Sequence, residues 1–198
     1  MSTQPHVSFN DGRTIPQIGL GVWQTPNDTA VQAVETALKA GYRHIDTAAV
    51  YQNEEGVGEG MRGSGIAREE IFLTTKVWND DQGFDTTLAA MDASLKRLGS
   101  DYVDLYLIHW PSAYRGKFID TWKALIRLRE EGKARSIGVS NFEGDYLEEI
   151  IAATGVTPAL NQVQLHPRFQ QQGLRAKHDK LGILTESWSP LGQGKLLD

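Results

Sequence analysis

Six short apolar runs in this 198-residue chain end in residues that can move a proton or make directed hydrogen bonds. These are Asp46, Lys76, His109, Ser140 with Asn141, Gln162 with Gln164, and Trp188 with Ser189. Such a set supports acid–base and polarising chemistry. It does not support thiolate chemistry, because the chain has no cysteine for a disulfide, a thiolate metal site or a Cys nucleophile. Each residue alone has a plainer reading: Asp46 as a strand-end cap, Lys76 as a surface charge, His109 as a satisfied core histidine between Ile108 and Trp110. At successive strand ends of one parallel sheet, they converge on one site.

The elements that must position them follow from periodicity. The runs Tyr42–Asp46, Ile71–Val77, Tyr102–His109, Ala134–Ser140, Ala159–Leu165 and Ile183–Ser187 are short and rich in Val, Ile, Leu and Tyr, as buried strands are. Leu20–Val22 reads as a first core strand, which makes seven. Between the runs lie helical spacings, such as Leu88, Met91, Leu95 and Leu98 on one face of 86–98. Gly41, Gly65, Gly99, Gly132, Gly155 and Gly182 each stand between a helical segment and the next strand, where a left-handed C-cap is needed. Ahead of this series, His6–Phe9 and Arg13–Ile15 flank Asn10-Asp11-Gly12 and predict a hairpin. Alternating strands and helices predict a parallel α/β fold, with 1–198 as one domain. Six consecutive strands ending in polar residues favour a closed barrel over an open sheet. Gly58, Gly60 and Gly63 spell a dinucleotide fingerprint, but they lie inside a helical segment instead of directly after a strand, so close helix packing is the reading.

Composition narrows the classes. A formal net charge of −5 gives no electrostatic case for nucleic acid or an anionic membrane. Residues 1–7 show no signal-peptide pattern, and no apolar run is long enough to span a bilayer. The expectation is a cytoplasmic protein with no nucleic-acid, membrane or metal partner. Of the histidines, His44 and His166 are expected to be structural and bonded to backbone, and His6 and His178 to be solvent-exposed.

Five segments resemble the aldo-keto reductase family, in the family's order. They are His44-Ile45-Asp46-Thr47-Ala48-Ala49-Val50-Tyr51-Gln52-Asn53-Glu54, Thr74-Thr75-Lys76, Leu105-Tyr106-Leu107-Ile108-His109-Trp110-Pro111, Gly138-Val139-Ser140-Asn141-Phe142 and Asn161-Gln162-Val163-Gln164-Leu165-His166-Pro167. The likeness is nearest to the bacterial branch that includes 2,5-diketo-D-gluconate reductases. It implies a (β/α)₈ TIM barrel with an N-terminal hairpin, its eighth strand and helix lying beyond residue 198. It implies NADPH-dependent reduction of a small carbonyl compound by a monomer. Tyr51 is then the general acid, Lys76 the cation that lowers its pKa, Asp46 the group holding Lys76, and His109 a donor to the carbonyl oxygen.

The resemblance also implies that Ser140, Asn141 and Gln162 hold the nicotinamide carboxamide and that Trp188 stacks on the ring. Backbone N–H groups in Ser189, Leu191, Gly192 and Gln193 would approach the pyrophosphate, although the same stretch also reads as an ordinary Gly/Pro turn. Trp23, Trp78 and Trp110 read as substrate-pocket walls or equally as rim packing, and the short 112–117 connection as leaving the pocket open. Two other functions fit the same residues: an NADPH-binding redox-sensing interaction subunit, and an inactive fragment of the reductase.

Overall fold

The computed structural model describes residues 4–194; the expected domain 1–198 extends beyond these at both ends. The predicted hairpin is present as β1 (His6–Ser8) and β2 (Thr14–Pro16), paired antiparallel one residue away from the predicted second strand. The predicted strands follow as β3 (Leu20–Gly21), β4 (His44–Asp46), β5 (Phe72–Val77), β6 (Val103–Ile108), β7 (Ala134–Ser140), β8 (Leu160–Gln164) and β9 (Leu184–Trp188). Helices α1 (Asn27–Lys39), α2 (Glu54–Gly63), α3 (Phe84–Leu98), α4 (Phe118–Glu130), α5 (Gly144–Thr154) and α6 (Gln172–Leu181) alternate with them. β3 to β9 form one parallel sheet in chain order.

This sheet is rolled, and one hydrogen bond shows it. β4 and β8 are four steps apart, about 19 Å in a flat sheet at the usual strand spacing. Yet Gln162 Nε2 on β8 donates to Asp46 Oδ2 on β4 at 2.9 Å. Curling brings the inward side chains together and leaves the outward ones for the helices. Leu73 and Val77 of β5, Tyr106 and Ile108 of β6, and Ile137 and Val139 of β7 pack with Val34, Met61, Met91, Trp122 and Leu147 of α1 to α5. On the inner face Leu105, Leu107 and Leu160 meet Phe9 and Ile15 of the hairpin segment. The hairpin therefore plugs the end of the roll opposite the predicted site. Its turn is fixed there by Asn10 Nδ2, which donates to the Pro158 and Gly182 carbonyls, and by Asp11 Oδ2, which accepts from Ser136 Oγ at 2.7 Å.

The three fingerprint glycines lie in α2, as close packing requires. A Cβ at Gly58 would stand 2.1 Å from the Leu98 carbonyl oxygen, and one at Gly60 2.5 Å from that of Val31. Among the described residues, no helix is long and apolar enough to cross a membrane.

His178 corrects an expectation. It is fully buried on α6, not exposed. Asn161 Nδ2 donates to its Nε2 at 2.9 Å, so Nδ1 carries the proton and donates to Thr185 Oγ1 at 2.8 Å. Burial lowers its pKa to about 4. Protonation would turn Nε2–H against the Asn161 amide. The folded pKa lies below the unfolded value, so this contribution to stability is complete above about pH 6.5 and is lost as pH falls toward 4. His178→Leu should lower stability by about 1–3 kcal/mol at pH 7.5, because Asn161 is left with an unmet donor. It should also flatten the loss of Tm between pH 6.5 and 4.5. Thermal unfolding across that range checks both, and equal pH slopes in the two proteins would rule out the His178 contribution.

Candidate active site

Lys76 is fully buried at the end of β5, where an unpaired ammonium would be very costly. It is paired: its Nζ donates to Asp46 Oδ1 at 2.5 Å and to the Thr47 carbonyl at 2.8 Å. Burial alone would lower its pKa, but the charges of Asp46, Tyr51 and Glu186 outweigh that and raise it. The ammonium therefore stays charged. The other Asp46 oxygen takes the Gln162 amide, so both oxygens are engaged.

Tyr51 ends a single 3₁₀ turn, Ala49–Tyr51, that follows β4. Asn53 anchors the turn: it accepts from Thr47 Oγ1 at 2.7 Å and donates to the Val22 and Thr25 carbonyls at 2.8 and 2.9 Å. This places the Tyr51 ring centroid 5.2 Å from Lys76 Nζ and 5.6 Å, edge to face, from the His109 ring. The sequence predicts a Tyr51 pKa lowered by Lys76. The structure shows the opposite net result: burial raises it, and the downward pull of Lys76 only partly offsets this. A raised pKa keeps the phenol protonated, the state a proton donor must start from.

His109 is buried between Tyr51 and Trp78, whose ring is 5.1 Å away edge to face. Burial and the nearby Lys76 charge lower its pKa to about 3, so the imidazole is neutral. Its Nδ1 is sealed and without a partner, which leaves Nε2 to reach a ligand.

The predicted nicotinamide residues come together beside these groups. Ser140 Oγ donates to the Gln162 carbonyl at 2.8 Å. Asn141 adopts a positive φ of 61° and is a hub: its Nδ2 donates to the His109 carbonyl and to Ser140 Oγ, and its Oδ1 accepts from Trp188 Nε1 at 2.9 Å. The indole of Trp188 is thereby oriented by the strand end next to His109.

Further along, Ser189, Gly192 and Gln193 all have positive φ, and Leu191 is largely exposed. The Gly192 and Gly194 amides are spent on the Ser189 and Leu191 carbonyls, so those two N–H groups are not presented to a ligand. Of the three tryptophans, Trp78 touches the site, while Trp23 and Trp110 are exposed beyond the ends of β3 and β6.

A family model described as Aldo/keto reductase family matches residues 17–198. The chain belongs to the aldo/keto reductase family. An aldo-keto reductase of Mycolicibacterium smegmatis is 61% identical over 193 residues, covering 98% of this chain and 70% of that protein. A glyoxal reductase of Bacillus subtilis is 52% identical over 198 residues, covering 100% of this chain and 71% of that protein. Among solved structures, a mutant of Gox0644 in complex with NADPH matches with a TM-score of 0.95 at 53% identity, covering 100% of this chain and 71% of that one.

In this aldo/keto reductase two expectations about histidines need correction. The His44 ring pairs with Thr74 Oγ1 at 3.0 Å instead of backbone, and His166 Nε2 faces the Gln164 amide at 3.3 Å while its Nδ1 is unpartnered. One acid at the site escaped the sequence reading altogether. Glu186, two residues before Trp188, shares the inward face of β9 and is raised to about pKa 7, by burial first and by Asp46 second. Strand alternation alone would have placed it inside the roll.

Proposed function

We propose that this aldo/keto reductase reduces small aldehydes and ketones to alcohols with NADPH, with Tyr51 as the proton donor. The observation that carries the reading is the buried Lys76 ammonium paired with Asp46, with the Tyr51 ring centroid 5.2 Å from its Nζ and the His109 ring 5.6 Å from that of Tyr51. A carbonyl carbon that accepts hydride leaves an alkoxide, which needs a proton and electrostatic support. Tyr51 O–H supplies the proton, and the charge left on its oxygen faces the Lys76 ammonium. His109, neutral, polarises the carbonyl oxygen through an N–H without competing as an acid.

The cofactor end fits the residues present. Trp188 has its indole N–H fixed by Asn141, which leaves its ring oriented as a stacking platform, and Ser140, Asn141 and Gln162 place amide and hydroxyl groups beside it. When bound there, the nicotinamide supplies the hydride. The glyoxal reductase relative and the NADPH complex support small carbonyls and this cofactor.

The test is NADPH consumption against a panel of glyoxal-type dicarbonyls, simple aldehydes and keto-sugar acids, repeated with NADH. Turnover is expected with reactive aldehydes and NADPH. A protein that binds NADPH and reduces none of the panel would defeat this reading.

A further inference from the structure

Glu186 lies inside the roll, paired in register with Gln162. Candidate ligand atoms of His44, Asp46 and Glu186 all fall within 4.8 Å of one another. That grouping has the residue types of a metal site, but its ligands are engaged otherwise. The His44 ring is held by Thr74, and the Asp46 oxygens are taken by Lys76 and Gln162. Glu186 Oε2, by contrast, is out of solvent contact and has no hydrogen-bond partner. Two carboxylates this close cannot both ionise cheaply with a single ammonium, already paired with Asp46, to serve them.

The charged and titratable groups around Glu186 are His44 and Asp46 on β4, Lys76 on β5, and Tyr51 beyond Lys76. His44 is lowered to about 4 and is neutral. Lys76 and Asp46 already form one balanced pair. A proton on Glu186 keeps that balance. When it leaves, the Lys76 ammonium is shared between two carboxylates, and less of its field is left for the Tyr51 oxygen.

We propose that Glu186 is a positioning residue of this site, whose proton sets how much of the Lys76 charge reaches Tyr51. The proposal rests on the reading of Lys76 and Tyr51 as a proton-donating pair. It deepens that reading by adding a second, titratable control on the same cation. The raised pKa of Glu186, about 7, places the change in the neutral range. Above it Glu186 carries charge, and Tyr51 gives up its proton less readily.

Glu186→Gln keeps the shape and removes the titration. In the variant the alkaline limb of alcohol oxidation, where Tyr51 must be ionised to act as base, is expected at lower pH by on the order of half a unit. Superimposable wild-type and variant profiles would overturn the proposal. So would a loss of rate equal at every pH, since that is the signature of packing alone.

A second measurement needs no turnover. In protein with ¹³C-labelled glutamate and no cofactor, the Glu186 carboxyl signal, identified by its absence in Glu186→Gln, should titrate near neutral pH. It should shift to lower pH in Asp46→Asn. Titration in the ordinary glutamate range, or no shift with Asp46→Asn, would overturn the proposal whatever the enzyme reduces. Conversely, a neutral titration in a protein that reduces no carbonyl would leave the charge coupling standing and remove the reaction it was assigned to.

Discussion

Tyr51→Phe is expected to abolish carbonyl reduction while leaving NADPH affinity close to that of the wild type. The substitution keeps the ring and its edge-to-face contact with His109 and deletes only the O–H. The turn itself is held by Asn53, whose bonds the substitution leaves in place. The loss is therefore confined to proton donation, which is worth at least about 10²–10⁴ in rate. Single-turnover reduction of a reactive aldehyde, measured beside an NADPH titration, checks it. A kcat within a few-fold of wild type would move the acid elsewhere, and no other phenol touches His109 or Lys76 among the described residues.

Lys76→Met should collapse reduction as well, with a second consequence that Tyr51→Phe lacks. Methionine fills the space of the lysine stem but leaves Asp46 without its cation and the Thr47 carbonyl without a donor. Breaking a buried pair costs about 3–5 kcal/mol. Gln162 still donates to Asp46, and Asp46 is slightly exposed, so the lower end of that range is expected. For residual alcohol oxidation the sign is fixed: without the ammonium the Tyr51 oxygen ionises less readily, so the alkaline limb moves to higher pH. This is opposite to the Glu186→Gln shift, and the pair of variants brackets the same cation from both sides. Denaturant unfolding and pH–rate profiles read the two effects separately. Full activity with an unchanged profile would make Lys76 a structural cation only.

The elements and the list of strand ends were legible in the sequence because each depends on neighbours along the chain. Buried strands show as short β-branched runs, and helix ends as glycines, six of which carry the positive φ expected of them. The false fingerprint was legible for the same reason: Gly58 and Gly60 lie inside a helical segment, and the structure uses them to admit the Leu98 carbonyl of α3 on one side and the Val31 carbonyl of α1 on the other. Asp46 and Trp188 end their strands, Lys76 and His109 lie within one residue of a strand end, and Gln162 lies two residues before the end of β8, so parallel pairing was enough to place them near one edge.

What depends on distance across the sheet was not legible. The Asp46–Gln162 bond exists only because the sheet curls through four strand steps, and periodicity does not report curvature. His178 looked exposed because its helix is strongly polar, yet one buried face turns it onto Asn161 and Thr185. The Tyr51 pKa was expected to fall because a cation is an attractive neighbour. It rises because desolvation is summed over everything packed around the phenol, and that sum is set by tertiary structure. Glu186 is the same case in reverse. The chain alone determined that an acid stands on the inner face of the last strand, and only the fold decided that a second acid and a single ammonium stand beside it.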